Sequence, residues 1–77
     1  MNGSASTTDF RARVGAMLAQ ARKEKGITQI QLAERLGMAQ GSLSRIETGR
    51  YMSIDVIGRY LDAIGAELSI KSTDNKH

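Results

Sequence analysis

Glycines that follow amphipathic segments constrain the fold of this chain more than any other feature. Four of them stand within two residues of the end of a segment whose apolar side chains recur at helical spacing: Gly26, Gly37, Gly49 and Gly65. Glycine is typical of helix C-termini because it adopts the left-handed backbone conformation without a steric penalty. The sequence therefore predicts four short helices, over about residues 9–24, 29–36, 40–47 and 54–64.

Size and composition favour one small all-helical domain. The chain has 77 residues with no proline and no cysteine, and it is rich in alanine and long side chains. A domain of this size buries only about 60% of the surface of its unfolded chain, so its stability is modest. We expect a compact all-α bundle of four to five short helices, with loose tails at residues 1–8 and 72–77.

Composition also excludes several functional classes. Without cysteine there is no thiolate metal site, and the single histidine, His77, cannot form a metal-binding cluster. No base is available to activate a serine, so we expect no enzyme, no cofactor and no metal. No apolar run approaches the roughly 18 residues of a membrane helix, and residues 1–10 lack the pattern of a signal peptide, which predicts a cytoplasmic protein. The net charge of +3 permits attraction to nucleic acid without establishing it.

Residues 28–49 have the arrangement of a helix-turn-helix. Thr28 and Gln31 have the spacing of a capping box at the start of one short helix, Gly37 ends it, and a second short helix follows at once. Two helices this short and this closely joined must cross at a steep angle. In such a unit the second helix enters the DNA major groove, with its N-terminal residues at the base edges.

The polar residues of the second helix suit contacts with bases. Gln40 can pair with adenine, and Arg45 can pair with guanine N7 and O6. Ser42 suits either a base or a phosphate. Gly41 has no side chain, so the backbone can approach DNA there, at a cost to the helix of about 1 kcal/mol relative to alanine.

The segment "GITQIQLAERLGMAQGSLSRIETGR", residues 26–50, also resembles a known family. It is similar to the Cro/cI-type (XRE-type) helix-turn-helix of phage repressors and many small bacterial regulators. The resemblance extends over about residues 10–65, and it implies a helix-turn-helix domain over residues 9–65 that binds double-stranded DNA. The matching residues are Gly26, Thr28, Gln29, Leu32, Ala33, Gly37, Gln40, Ser44, Ile46, Glu47 and Gly49.

The resemblance implies roles for individual side chains. Gln29 would contact a phosphate and brace Gln40, and Arg22 would form an internal salt bridge with Glu47. Ala39 departs from the family, which often has a serine or threonine cap there, so we expect the third helix to lack a side-chain cap. Base contacts are predicted for Gln40, Gly41, Ser42 and Arg45. Phosphate contacts are predicted for Thr28, Gln29, Ser44, Thr48 and Arg50.

Two residues of the fourth predicted helix need a structural explanation. Gly58 lies in its interior, where glycine costs about 1 kcal/mol relative to alanine, so we expect a neighbouring helix to pack closely against it. Tyr60 is expected at the edge of the core or in a dimer interface.

The segment "AELSIK", residues 66–71, alternates with the period of a strand. Leu68 and Ile70 share one face, and a single strand cannot satisfy its own backbone groups, so its partner is expected in a second copy of the chain. A strand after the last helix that joins two subunits resembles antitoxins of the HipB kind. The sequence thus predicts a homodimer held by residues 66–71.

Three functions are compatible with this pattern. The first is a repressor that binds an operator with two half-sites as a homodimer and is nucleoid-associated when bound. The second is an antitoxin that also binds a cognate toxin and represses its own operon. The third, from a different class, is a protein-only helical adaptor. Gln40 and Arg45 on an exposed face argue against the adaptor, and no membrane partner is expected.

Overall fold

A computed structural model describes the backbone of residues 3–72 and the side chains of residues 9–72. This part of the chain contains four helices, α1 (Gly3–Glu24), α2 (Gln29–Leu36), α3 (Gln40–Glu47) and α4 (Ile54–Ile64). The all-α bundle predicted from the sequence is confirmed, and α2, α3 and α4 have the predicted bounds. The expected tail at residues 73–77 lies outside the described residues.

The first helix is longer than its apolar periodicity predicted. It begins at Gly3 rather than near residue 9, so most of the segment expected to be a loose tail has a helical backbone. No glycine or proline occurs between Ser4 and Val14 to interrupt the helix. Apolar periodicity marks only the part of a helix that faces a core, and it therefore missed this polar first section.

Local capping interactions set the bounds of the shorter helices. The Thr28 hydroxyl accepts a hydrogen bond from the Gln31 N–H (3.1 Å), and the Gln31 side chain accepts one from the Thr28 N–H (2.9 Å). The Ser53 hydroxyl caps α4 by accepting a hydrogen bond from the Val56 N–H (3.1 Å). Ala39 provides no side-chain cap for α3, as expected.

The core lies where α3 crosses the other helices. Its four most completely buried large side chains are those of Leu32, Leu43, Ile46 and Tyr60. Helix α1 approaches α3 very closely at Gly15, where an added Cβ would lie 2.6 Å from the carbonyl oxygen of Glu47. The core therefore fixes the position of α3 from its buried face and leaves its opposite face exposed.

Two expectations for α4 are wrong. Tyr60 lies at the centre of the core rather than at its edge, and its hydroxyl is held by hydrogen bonds inside the molecule. Gly58 is exposed, and apart from the backbone of its own helix no atom of the described residues lies within 4 Å of the place where its Cβ would be. No neighbouring helix packs against Gly58, so its cost to helix stability is not offset by a close approach.

Residues 66–72 follow α4 without forming helix or strand in the single chain. A strand needs a second strand to pair its backbone groups, and no other segment of residues 3–72 forms one. Leu68 and Ile70 are 65% and 87% exposed. The predicted strand is therefore not formed within one chain. Within residues 3–72, no helix combines the length and the apolar character needed to cross a membrane.

Candidate nucleic-acid interface

One face of α3 is buried and the opposite face is free. Leu43, Ile46 and Glu47 are buried against the other helices. Successive residues of an α-helix are rotated by about 100°, so Gly41 and Arg45 lie on the side directed away from the core. Both are exposed. The face on which the sequence predicted base contacts is therefore open to a partner.

Arg22 of α1 and Glu47 of α3 form a buried ion pair. Arg22 Nε lies 2.8 Å from Glu47 Oε2 and Arg22 Nη2 lies 3.0 Å from Oε1, and the two residues are only 7% and 8% exposed. The third nitrogen, Nη1, donates to the carbonyl oxygen of Ile27 (2.9 Å). This bidentate geometry is the strongest form of a carboxylate–guanidinium contact, and it ties the end of α3 to α1.

The Glu47 carboxylate has two further donors. The Tyr60 hydroxyl donates to Glu47 Oε2, and the Leu18 carbonyl oxygen lies 3.0 Å from the same hydroxyl. Gln29 Nε2 donates to Glu47 Oε1 (3.0 Å). Burial by itself would raise the pKa of Glu47, but the hydrogen bonds from Arg22, Tyr60 and Gln29 outweigh it and lower that pKa. Glu47 is therefore ionised at neutral pH and fixed by three side chains.

The pKa of Tyr60 is shifted in the opposite direction to that of Glu47, and the contact between the two side chains contributes to both shifts. Burial and the adjacent Glu47 carboxylate raise the pKa of the Tyr60 hydroxyl far above its usual range. The hydroxyl keeps its proton at every pH at which the domain is useful, and it remains a hydrogen-bond donor to Glu47.

A hydrogen-bond chain links this buried carboxylate to the exposed start of α3. Gln29 Nε2 donates to Glu47, and Gln29 Oε1 accepts from Gln40 Nε2 (3.0 Å). The side chain of Gln29, the first residue of α2, therefore sets the orientation of Gln40, the first residue of α3. The Gln29 amide has a second N–H that is available to a phosphate.

The structure places the other predicted contact residues around this chain. Thr28 is exposed at the start of α2, where its hydroxyl caps the helix. Ser42 and Ser44 are half-buried on opposite flanks of α3. Arg50 is exposed, and its N–H donates to the carbonyl oxygen of Arg45 (2.8 Å).

The hydroxyl of Thr48 donates to the carbonyl oxygen of Ser44 (3.0 Å), so its oxygen lies at the end of α3. Within residues 9–72, the side chains of Arg45 and Arg50 have no hydrogen bond or ion pair, so both are available to an anion. Leu68 lies in the tail after α4 and lines a groove with Met17 and Leu18 of α1, and Ile70 follows it in the same exposed tail.

Two glycines position α3: Gly49, which the sequence predicted as a helix-end glycine, and Gly15, which the sequence did not single out. A Cβ at Gly15 would meet the end of α3, and a Cβ at Gly49 would lie 2.7 Å from the backbone of Arg11 and Ala12. Gly49 also has a φ of +80°, so both the lack of space for a Cβ and the backbone conformation favour glycine at this position. The position of Gly15 within the apolar pattern of α1 could have indicated that another helix approaches closely there.

The family model for the helix-turn-helix matches residues 18–70, which include all of α2, α3 and α4. The chain belongs to the helix-turn-helix family. The resemblance described from residues 26–50 is therefore confirmed at the level of the family. A helix-turn-helix is a DNA-binding unit rather than a catalytic one, which agrees with the expectation that the chain is not an enzyme.

Two curated relatives resemble the chain. The "ImmF control region 10 kDa protein" of Bacillus phage phi105 is 37% identical over 59 residues, which are 75% of this chain and 66% of that protein. The "Uncharacterized HTH-type transcriptional regulator y4dJ" of Sinorhizobium fredii is 45% identical over 42 residues, which are 54% of each chain. The chain thus spans between about half and two thirds of the length of these relatives. No solved structure gives a significant match.

Proposed function

We propose that this protein is a transcriptional repressor that binds double-stranded operator DNA through the major groove, with α3 as its recognition helix. Gln40, Gly41, Ser42 and Arg45 contact bases. Thr28, Gln29, Ser44, Thr48 and Arg50 contact phosphates. Such a protein acts in the cytoplasm and is nucleoid-associated when bound.

The observation that supports this proposal best is the chain from Glu47 through Gln29 to Gln40. A glutamine that reads adenine must present its amide in one orientation, and free rotation of an exposed side chain would cost affinity. Gln40 is exposed, yet its amide is held by Gln29, which is held by the buried carboxylate of Glu47. An exposed polar side chain held from the core is suited to recognition and adds little to folding.

The distribution of charge supports the same conclusion. Arg45 and Arg50 stand on the exposed side and at the end of α3, while its only acidic residue, Glu47, is neutralised by Arg22. The free face therefore carries positive charge without a compensating carboxylate on α3. This suits the phosphate backbone, which supplies much of the affinity in protein–DNA binding.

We assign the protein a homodimeric state when bound to its operator. One recognition helix reads only a few base pairs, and helix-turn-helix dimers place two such helices at half-sites about 34 Å apart. Leu68 and Ile70 are exposed, and residues 67–71 make no backbone–backbone hydrogen bond within residues 3–72. Antiparallel pairing of residues 66–71 with the same segment of a second copy would satisfy those backbone groups and cover both side chains.

Selection of bound sequences from a random duplex library tests DNA recognition. We expect the full chain to enrich one sequence with two related half-sites. Arg45→Ala should relax the preference at one base pair per half-site, with a loss of about 1–3 kcal/mol of discrimination. Lys23→Ala removes the same charge from the exposed surface of α1 and should leave the preference unchanged. An Arg45→Ala protein with the wild-type preference would contradict the assignment of Arg45.

Sedimentation of a chain that lacks residues 66–77 tests the dimer. We expect the full chain to sediment as a dimer with its operator and the shortened chain to be monomeric. A shortened chain that remains dimeric would place the interface elsewhere.

A further inference from the structure

An apolar groove lies beside the recognition helix, on the flank away from Gln40. It has a volume of about 420 Å³ and is lined by Met38, Ser42, Arg45, Ile46 and Tyr51. Ser42, Arg45 and Ile46 follow one another at positions i, i+3 and i+4, so they form one strip of α3. Met38 belongs to the turn before α3, and Tyr51 belongs to the loop after Arg50.

The walls of this groove are fixed by the backbone. The Tyr51 N–H donates to the carbonyl oxygen of Arg45 (3.1 Å), which holds the backbone of Tyr51 at the end of α3. The Met38 N–H donates to the carbonyl oxygen of Ala33 (3.0 Å) at the end of α2. Ile46 is buried and forms the floor. The Tyr51 ring is 52% exposed, so half of a large aromatic surface still faces the groove mouth and solvent.

We infer that this groove binds the 5-methyl group of a pyrimidine in the major groove, next to the base pair that Arg45 reads. The inference rests on the proposed function, and it assigns Met38 and Tyr51 as specificity-determining residues. Thymine is the base that presents a methyl group on this edge, and apolar side chains recognise it by contact. The operator should therefore contain a thymine at that position.

The position of Arg45 connects the groove to the bases. Arg45 lines the groove and also lies on the exposed face of α3. A guanidinium bound to guanine N7 and O6 places its own stem against the neighbouring base step. A methyl group on that neighbouring base would then enter between the stem of Arg45 and the ring of Tyr51.

The positive charge around this groove favours DNA as its occupant. Arg45 is on its rim and Arg50 immediately precedes Tyr51, whereas none of the lining residues is acidic. An apolar surface bordered by two arginines that have no partner within residues 9–72 fits a polyanion that presents methyl groups. The groove also continues directly into the proposed base-contacting face at Ser42 and Arg45.

Removal of single methyl groups from DNA tests this inference. The probe is the operator recovered from the random library, with each thymine replaced in turn by deoxyuridine, and affinity is measured by fluorescence anisotropy at fixed salt. We expect one position in each half-site at which deoxyuridine weakens binding by about three- to fivefold, the effect of leaving one methyl group without apolar contact. Other thymines should give smaller changes.

Protein variants connect that position to the groove. Tyr51→Ser should bind the thymine and deoxyuridine duplexes equally, at about the affinity of the wild-type protein for deoxyuridine. Met38→Ala should also reduce the difference in affinity between the thymine and deoxyuridine duplexes. This variant replaces Tyr51→Ser in the test if Tyr51→Ser impairs folding. Ile30→Ser removes an exposed apolar side chain from α2, and it should keep the full difference.

Different failures have different meanings. An operator whose affinity is insensitive to every methyl group overturns the groove assignment alone. So does a methyl effect that persists in both Tyr51→Ser and Met38→Ala, or a Tyr51→Ser chain that loses its dimer, because a second copy would then occupy the groove. Enrichment of no sequence from the library overturns the proposed function, and this inference with it.

Discussion

The carboxylate of Glu47 accepts hydrogen bonds from Arg22 at both oxygens and from Gln29 at Oε1, so one buried group joins the core to the proposed recognition surface. The contacts are 2.8 and 3.0 Å from Arg22 and 3.0 Å from Gln29. Replacing Glu47 should therefore affect both the stability of the domain and the orientation of Gln40.

We expect Glu47→Gln to lower the free energy of unfolding by about 3–5 kcal/mol. The substitution keeps the shape of the side chain but leaves the buried Arg22 without its counter-ion, which is the costly way to break a buried pair. Urea unfolding followed by circular dichroism measures the change. Glu34→Gln removes an exposed carboxylate from α2 and should change stability by less than about 0.5 kcal/mol. Equal effects of the two substitutions would contradict the importance of the ion pair.

The Glu47 ion pair should also make stability depend on pH in the acid range. Hydrogen bonds from Arg22, Tyr60 and Gln29 lower the pKa of Glu47 below its ordinary value of 4.5. The stabilisation that the ionised Glu47 carboxylate contributes is therefore fully present at pH values above its ordinary pKa of 4.5. It is lost as the pH falls through the lower pKa that Glu47 has in the folded state. The difference in unfolding free energy between the wild-type protein and Glu47→Gln should shrink between about pH 5 and pH 2. A difference that stays constant over this range would mean that Glu47 is not the titrating group.

The contact between Gln29 and Gln40 predicts that their contributions to DNA affinity are coupled. Gln29→Ala should weaken binding on all sequences through the lost phosphate contact, and it should also release Gln40. Side chains in contact usually show coupling of about 0.5–3 kcal/mol in a double-mutant cycle. Anisotropy titrations of Gln29→Ala, Gln40→Ala and the double variant measure it. Lys23→Ala combined with Gln40→Ala is the additive control, and additive effects for the glutamine pair would contradict the bracing role.

Gly41 and Gly58 form a matched pair of exposed helix glycines. Neither has an atom within 4 Å of an added Cβ, so alanine at either position should stabilise the domain by about 0.5–1 kcal/mol. Only Gly41 lies on the recognition face, so only Gly41→Ala should alter operator affinity or preference. Thermal unfolding and library selection on both variants separate the two effects. An unchanged operator preference in Gly41→Ala would place this residue away from the bases.

The same chemical change should have the opposite sign at Gly15. An added Cβ there would lie 2.6 Å from the carbonyl oxygen of Glu47 and 2.8 Å from that of Ile46. Helices α1 and α3 would have to separate, and we expect Gly15→Ala to destabilise the domain by about 1–3 kcal/mol despite the better helix propensity of alanine. Gly58→Ala is the control. Stabilisation by Gly15→Ala would show that the two helices pack less closely.

Features that depend on residues close together in the chain could be predicted from the sequence, whereas features that depend on contacts between distant residues could not. The bounds of α2 follow from Thr28, Gln31 and Gly37, which are neighbours in the chain, and they were predicted correctly. The start of α1 was missed because polar residues extend the helix without facing a core. The role of Tyr60 depends on a contact with Glu47, 13 residues away, that only the packed structure brings together. The strand predicted at residues 66–71 would need a second strand for its backbone groups, and no other segment of residues 3–72 forms one, so it stays a prediction.

The two flanks of α3 differ in how freely they can change. On one flank, Gln40 is connected through Gln29 to the buried ion pair of Arg22 and Glu47, so a substitution of Gln29 would disturb both the exposed start of α3 and a contact of the core. Elsewhere, an added Cβ at Gly41 would meet no described atom within 4 Å and Tyr51 is 52% exposed, so substitutions at these two positions should disturb the core less. Under the proposed function, a new operator preference should therefore arise more readily through substitutions at Gly41 and Tyr51 than through substitutions at Gln29, which also contacts the core.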